Sequence, residues 1–261
     1  MYTSGLFDDL DAQRRSHRAE LLDAIQSVPL LQLDLDGWGR IVPYEYCLNP
    51  LSSIGSRKFI GGRFNFGEDI DAGLFPSFGA LYLAETEATA RAETFGAPSN
   101  TNGMSVEELA LANVRSYAYV RVKGSLESVF DLTDDASLRP FVRATKSFTL
   151  APWVIHAADV AGLPKPYLIR NSKELLKTFM KTDWRIEPAQ FNRPSNSQAF
   201  GDLVRRAGIE AILYRSAKSE RRCLAIFPET FAFSSSFVDL DGAVHDNIVV
   251  QRLDRATCAE L

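Results

Sequence analysis

The stretch Gln198-Ala-Phe-Gly-Asp-Leu-Val-Arg-Arg-Ala-Gly-Ile-Glu-Ala-Ile-Leu-Tyr-Arg-Ser216, followed by Arg222-Cys-Leu-Ala-Ile-Phe227, carries the reading of the fold. Pro194 to Ala207 predicts a helix, and Gly208 is placed to end it. Ile209 to Tyr214 and Arg222 to Phe227 are short apolar runs that read as two neighbouring strands joined by the loop Arg215 to Arg221. Upstream, residues 134 to 144, 150 to 161 and 171 to 181 read as helices, and residues 128 to 132 as a strand. Tyr117 to Lys123 alternates, with Ala118, Val120 and Val122 on one face and Tyr117, Tyr119, Arg121 and Lys123 on the other. Ser105-Val-Glu-Glu108 fits a capping box for one more helix. Ala80 to Ala84 is a short buried-type strand, and Thr86 caps a helix that runs to Phe95 and stops at Gly96.

Residues 48 to 79 are rich in Gly, Ser, Asn and Pro, and a loop that long is usually functional. Before it, Trp38 to Cys47 predicts a strand that contains Arg40, with Pro43 favouring an edge or a bend. Residues 4 to 27 predict one helix capped by Ser4, polar enough from Asp8 to Glu20 to lie on the surface as an appendage. Strands and helices therefore mix irregularly, which favours α+β over a regularly alternating sheet. The chain divides into a helical extension, residues 1–35, and a main domain, residues 36–261.

Composition narrows the function. The 261 residues are 46% hydrophobic and 24% charged, so wholesale disorder is excluded. Lys plus Arg is 29 against 33 Asp plus Glu, and a net charge of -4 argues against direct, non-specific nucleic-acid binding. No apolar run suggests a membrane span, and the N-terminus lacks a Sec-type signal. The three cysteines, Cys47, Cys223 and Cys258, are too few and too far apart for a disulfide framework, so a cytoplasmic location is expected. The histidines His17, His156 and His245 have no metal-ligand spacing and no Cys-x-x-Cys exists, so no metal site is expected. His156, in an apolar stretch, reads as a packed helix residue. Phosphate-loop, dinucleotide-fold and nucleophile-elbow motifs are absent.

What remains is a constellation. Gly61 and Gly62 let backbone approach closely just before Arg63, and a guanidinium beside such a turn suits phosphate through two donors. Tyr82 lies in a strand and Glu93 in the helix after it, so the two could face one cleft with Arg63. The bland alternative is an Arg63–Glu93 surface ion pair and a core tyrosine.

Four segments in order add weight: Trp38-Gly-Arg-Ile-Val42, Ile60-Gly-Gly-Arg-Phe-Asn-Phe-Gly67, Ala80 to Glu93, and Gln198 to Ser216. From about Arg40 to Pro228 the chain resembles the RES domain, named for Arg, Glu and Ser and found as the toxin of many bacterial toxin–antitoxin pairs. The resemblance implies an α+β fold like that of ADP-ribosyltransferase toxins, with mixed sheets flanked by helices, here with an added N-terminal helix and an insert at Glu68 to Gly79. It implies an enzyme that takes NAD as substrate, without a metal, and breaks the nicotinamide–ribose bond by hydrolysis or phosphorolysis. The alternatives are ADP-ribose transfer to a protein target and, from another class, a non-catalytic nucleotide-binding or antitoxin-docking module.

Residue by residue, the resemblance implies catalytic roles for Glu93, Arg63 and Tyr82. It implies NAD-binding roles for Arg40, Arg63, Tyr82, Ser216 and Gln198, with Ser219 a weaker rival for Ser216. It also implies a cognate antitoxin of Xre type as partner, and loop 48 to 79 is the candidate for part of that interface. Cytoplasmic action is expected, with delivery into another cell as the variant.

Overall fold

The computed structural model describes residues 2–96 and 116–260, so the helix expected around Ser105 to Glu108 lies outside the described residues. Among the described residues seven strands form one mixed sheet: β1 (Leu31–Pro43), β2 (Leu81–Ala84), β3 (Tyr117–Asp131), β4 (Ala211–Arg215), β5 (Arg222–Ile226), β6 (Phe237–Leu240) and β7 (Arg252–Leu253). The order is β1-β2-β5-β4-β3-β6-β7, and β1 also pairs with β3, so the first five strands close into a barrel. Among the described residues only the β3–β4 pair is parallel. The helices are α1 (Tyr2–Ser16), α2 (Arg18–Gln26), α3 (Glu87–Phe95), α4 (Arg139–Ala144), α5 (Pro152–Val160), α6 (Ser172–Phe179), α7 (Ile186–Phe191) and α8 (Asn196–Arg206). The α+β expectation is met.

Two-residue alternation sorts the central strands into two cores. Leu81, Leu83, Ala211, Leu213, Leu224 and Ile226 face one cluster with Leu35, Trp38, Val122, Leu126 and Val129. Ala84, Ile212, Tyr214, Cys223 and Ala225 face the other, where Phe64, Phe66, Phe130, Phe179 and Phe200 pack with the helices. Both faces are covered, which is why β4 and β5 read as nearly unbroken apolar runs.

Several expectations change. β1 starts at Leu31, seven residues before the expected Trp38, and ends at Pro43; Leu35 is already buried, so residue 35 falls inside the sheet. The strand expected at 128 to 132 is the far end of β3, a single 15-residue strand. The N-terminal helix breaks at His17, and it begins at Tyr2, so Ser4 lies inside its first turn. α2 is not an appendage. Leu21 and Ile25 are fully buried in the helix-side core, against α4 and α8. His156 is exposed on α5, while Val154 and Ala158, four residues apart, take the buried face.

Because α2 fills core volume, truncating it should leave a cavity. Ile25→Ala is expected to cost about 2–5 kcal/mol in urea unfolding, the range for a fully buried aliphatic side chain. An unchanged midpoint would return α2 to the status of a surface appendage.

Candidate active site

A cavity of about 270 Å³ opens where β1, β2, α3 and the β4–β5 connection meet, lined among others by Arg40, Arg63, Tyr82, Glu93, Trp184 and Lys218. Each element delivers its residue for a local reason. Thr86 caps α3 by accepting from the Thr89 N–H, and Gly96 at φ +103° ends it. Between those stops, Ala90, Glu93 and Thr94 share one helix face and line the cavity. Strand alternation puts Tyr82, Ala84, Cys223 and Tyr214 on one sheet face, opposite Leu83, Leu224 and Leu213.

The Arg63 loop is held from two sides. Gly61 sits at φ +86°, where a side chain is strained, and a Cβ on Gly62 would lie 2.4 Å from the Tyr82 hydroxyl. The Tyr82 hydroxyl donates to Asn65 Oδ1 (2.9 Å) and accepts from the Phe64 N–H (2.9 Å). Its only proton is therefore committed to the loop. Burial pushes the Tyr82 phenol well above its ordinary pKa, so it stays neutral. Tyr82 lines the cavity with its hydroxyl proton turned to the loop.

On the other side stands Gln198, which is fully buried and absent from the cavity wall. Its Nε2 donates to the carbonyls of Ile60 (2.7 Å), Gly62 (3.0 Å) and Asn65 (3.0 Å), and its Oε1 accepts from the Ser195 N–H (3.0 Å). Gln198, expected to bind NAD, spends every donor of its amide on main chain and so supports the loop.

Arg63 and Glu93 do not form the ion pair of the bland alternative. Arg63 Nη1 donates to the carbonyls of Phe179 (2.8 Å) and Lys181 (2.9 Å), and its guanidinium lies 5.7 Å from the Trp184 ring centre. Arg40 Nη1 donates to the Ser52 carbonyl (3.1 Å). Burial lowers the Arg40 pKa to about 10, so it remains a cation at neutral pH.

Glu93 instead accepts a short hydrogen bond from Ser216 Oγ. Ser216 is 2% exposed, and its Oγ also accepts from the N–H groups of Lys218 (3.1 Å) and Ser219 (3.1 Å). With both lone pairs taken, the hydroxyl proton can go only to the carboxylate. Ser216 thus touches Glu93 rather than the cavity. Lys218 Nζ donates to the Glu93 carbonyl (2.8 Å), which pins the same helix turn.

Trp184, Arg185 and Lys218 line the cavity although no sequence motif singled them out. They come from the α6–α7 and β4–β5 connections, where no periodicity marks a residue as inward. Cys223 also lines it, but burial and the Glu93 charge push its thiol up to about 12, so it holds no thiolate. Among the described residues no group of three His, Cys, Asp or Glu is placed to hold a metal ion, and no helix is long and apolar enough to cross a membrane.

No curated protein matches the sequence. A chain of the M. tuberculosis MbcT–MbcA toxin–antitoxin complex shares the fold, at a TM-score of 0.51 and 16% identity over 93% of this chain and 96% of that one. The family model of the RES domain matches residues 38–244, from the Trp38 of β1 past β6 and across every element that lines the cavity. The chain belongs to the RES domain family.

Proposed function

We propose that the protein is the toxin of a toxin–antitoxin pair and that it degrades NAD at the nicotinamide–ribose bond. One observation carries the reading. Glu93 is the only carboxylate among the described cavity residues, and the other charged ones, Arg40, Arg63, Arg185 and Lys218, are all cations. A cationic cleft in a chain of net charge -4 selects a polyanion such as a diphosphate. A lone fixed carboxylate inside it suits a reaction that builds positive charge, as glycosidic cleavage does.

The chemistry needs no general acid. Nicotinamide nitrogen is already cationic in NAD, so it leaves neutral with both electrons of the C–N bond. The positive charge passes to the ribose ring, where Glu93 offsets it. Water then adds to the ribose carbon and releases a proton, or inorganic phosphate adds in its place. Arg63 and Arg40 hold the phosphates, and the Tyr82 ring and Trp184 offer flat surfaces to the nicotinamide end.

Purified protein should release nicotinamide from NAD, and a chelator should leave the rate unchanged. Intact NAD after prolonged incubation, with and without phosphate, would remove the degradative reading; label from NAD on protein would then favour transfer. Glu93→Gln is expected to lower kcat about 10²–10³-fold with a nearly normal melting temperature. Ser216→Ala is expected to lower kcat about 10–100-fold with little change in KM, because it frees the carboxylate that its hydroxyl holds. Normal turnover in both variants would strip Glu93 of its catalytic role.

An NAD-consuming enzyme in the cytoplasm needs restraint, so a separately encoded antitoxin of Xre type is part of the proposal. The loop after β1 supports a docking role, because Tyr44, Leu48, Ile54 and Phe59 are 52–73% exposed there, and Arg40 reaches the Ser52 carbonyl of the same loop. Expression of the chain alone should deplete cellular NAD, and co-expressed antitoxin should restore it. The double variant Leu48→Asp, Phe59→Asp should keep NAD turnover and escape neutralisation. Full neutralisation of that variant would place the interface elsewhere.

A further inference from the structure

We propose that Arg185 recognises the phosphate on the adenylate side of a dinucleotide and thereby separates dinucleotides from mononucleotides; this rests on the reading of the site as a dinucleotide cleft. The cavity measures about 270 Å³, below the usual range for a site that encloses a drug-sized ligand whole. A dinucleotide whose nicotinamide end reaches Glu93 must therefore extend past the rim. The rim on the α6–α7 side is built by Thr182, Trp184 and Arg185.

The cations of the site are not equivalent. Arg40 and Arg63 each have one guanidinium nitrogen committed to main-chain carbonyls, and the Lys218 ammonium is committed to the Glu93 carbonyl. Those contacts hold the half-buried Arg40 and Arg63 and the exposed Lys218 in place. Arg185 differs in having no such contact. Its side chain is exposed, and it has no hydrogen bond or ion pair to any described residue. Among the described residues none takes any of its five N–H donors, which form a planar fork that matches phosphate oxygens.

Arg185 is nevertheless not adrift. Its guanidinium lies 5.2 Å from the ring centre of Trp184, and Trp184 is only 7% exposed. The same indole lies 5.7 Å from Arg63. One anchored ring thus spaces an interior arginine from a rim arginine, and the two repel each other across it. A diphosphate that bridges Arg63 and Arg185 offsets that repulsion. A mononucleotide, with one phosphate, reaches Arg63 alone.

The test uses binding as well as turnover. ADP-ribose and nicotinamide mononucleotide are titrated calorimetrically into the wild-type protein, Arg185→Ala and Arg185→Lys, and KM for NAD is measured on the same preparations. Loss of a charge-assisted hydrogen bond predicts ADP-ribose binding at least about 10-fold weaker in Arg185→Ala. Nicotinamide mononucleotide binding should be unchanged, KM for NAD should rise with kcat retained, and Arg185→Lys should recover only part of the loss. An exposed side chain with no hydrogen-bond partner among the described residues also predicts an unchanged melting temperature. Equal ADP-ribose affinity in Arg185→Ala, or an equal loss for both ligands, would overturn the assignment of Arg185 while the cleft reading stands. Failure of the wild-type protein to bind ADP-ribose would overturn the cleft reading and this inference with it.

Discussion

A single buried amide holds the site together. Gln198 spans the gap between α8 and the loop that carries Arg63, and its two N–H donors are shared by three carbonyls of that loop. Loop carbonyls in an irregular turn have no ladder partner of their own, and a buried carbonyl left unpaired costs about 1–3 kcal/mol. The amide therefore decides whether the turn can be buried at all. Close approach completes the grip: a Cβ on Gly201, one turn along α8, would lie 2.0 Å from the Phe64 carbonyl. Asn65, itself fully buried, carries the restraint outward by donating to the carbonyls of Ser56 (2.8 Å) and Phe78 (2.8 Å). Helix, loop and strand β2 are thus locked before any ligand arrives, which is the preorganisation an electrostatic site requires.

The charged groups are arranged on that frame in two tiers. The inner tier spends part of its hydrogen-bonding capacity on the protein: Arg63 on the end of α6, Arg40 on the loop after β1, and Glu93 on Ser216. Those bonds orient the charge and cost the site little, because a guanidinium has donors to spare. Ser216 is the sharpest case. Two backbone N–H groups occupy its lone pairs, so the hydroxyl is a donor by exclusion. A carboxylate held by a fixed donor need not reorganise as charge develops beside it. The outer tier, Arg185, spends no side-chain donor on any described residue.

Much of the fold was legible because its punctuation is local. Thr86 and Gly96 bracket α3 and Gly208 closes α8, each through one residue's own backbone chemistry. The apolar runs of β4 and β5 needed no tertiary context either. Other elements left weak traces. β6 is four residues long and β7 two, too short for a period to show. The early part of β1 did carry a signal: Leu31, Leu33 and Leu35 alternate with Gln32, Asp34 and Asp36, a half-buried strand pattern. α2 fully buries Leu21 and Ile25 and packs Leu22 beside them, a patchy stripe in an otherwise polar helix.

The site residues show where motif matching stops being informative. A motif ranks Gln198, Tyr82, Ser216 and Glu93 alike, yet burial and proton bookkeeping separate them. Gln198 stands three residues after Ser195, and Ser-x-x-Gln is a capping box, a spacing that turns the glutamine back toward its own helix start. That local rule already argues for support over ligand contact. Tyr82 and Ser216 could not be sorted this way, because their partners, Asn65 and Glu93, lie 17 and 123 residues away in sequence. A hydroxyl has one proton, and where that proton goes is decided by tertiary packing alone. The residues left with unspent donors are then the ones free to meet a ligand, and by that criterion the rim arginine that no motif contains ranks above the glutamine that one does.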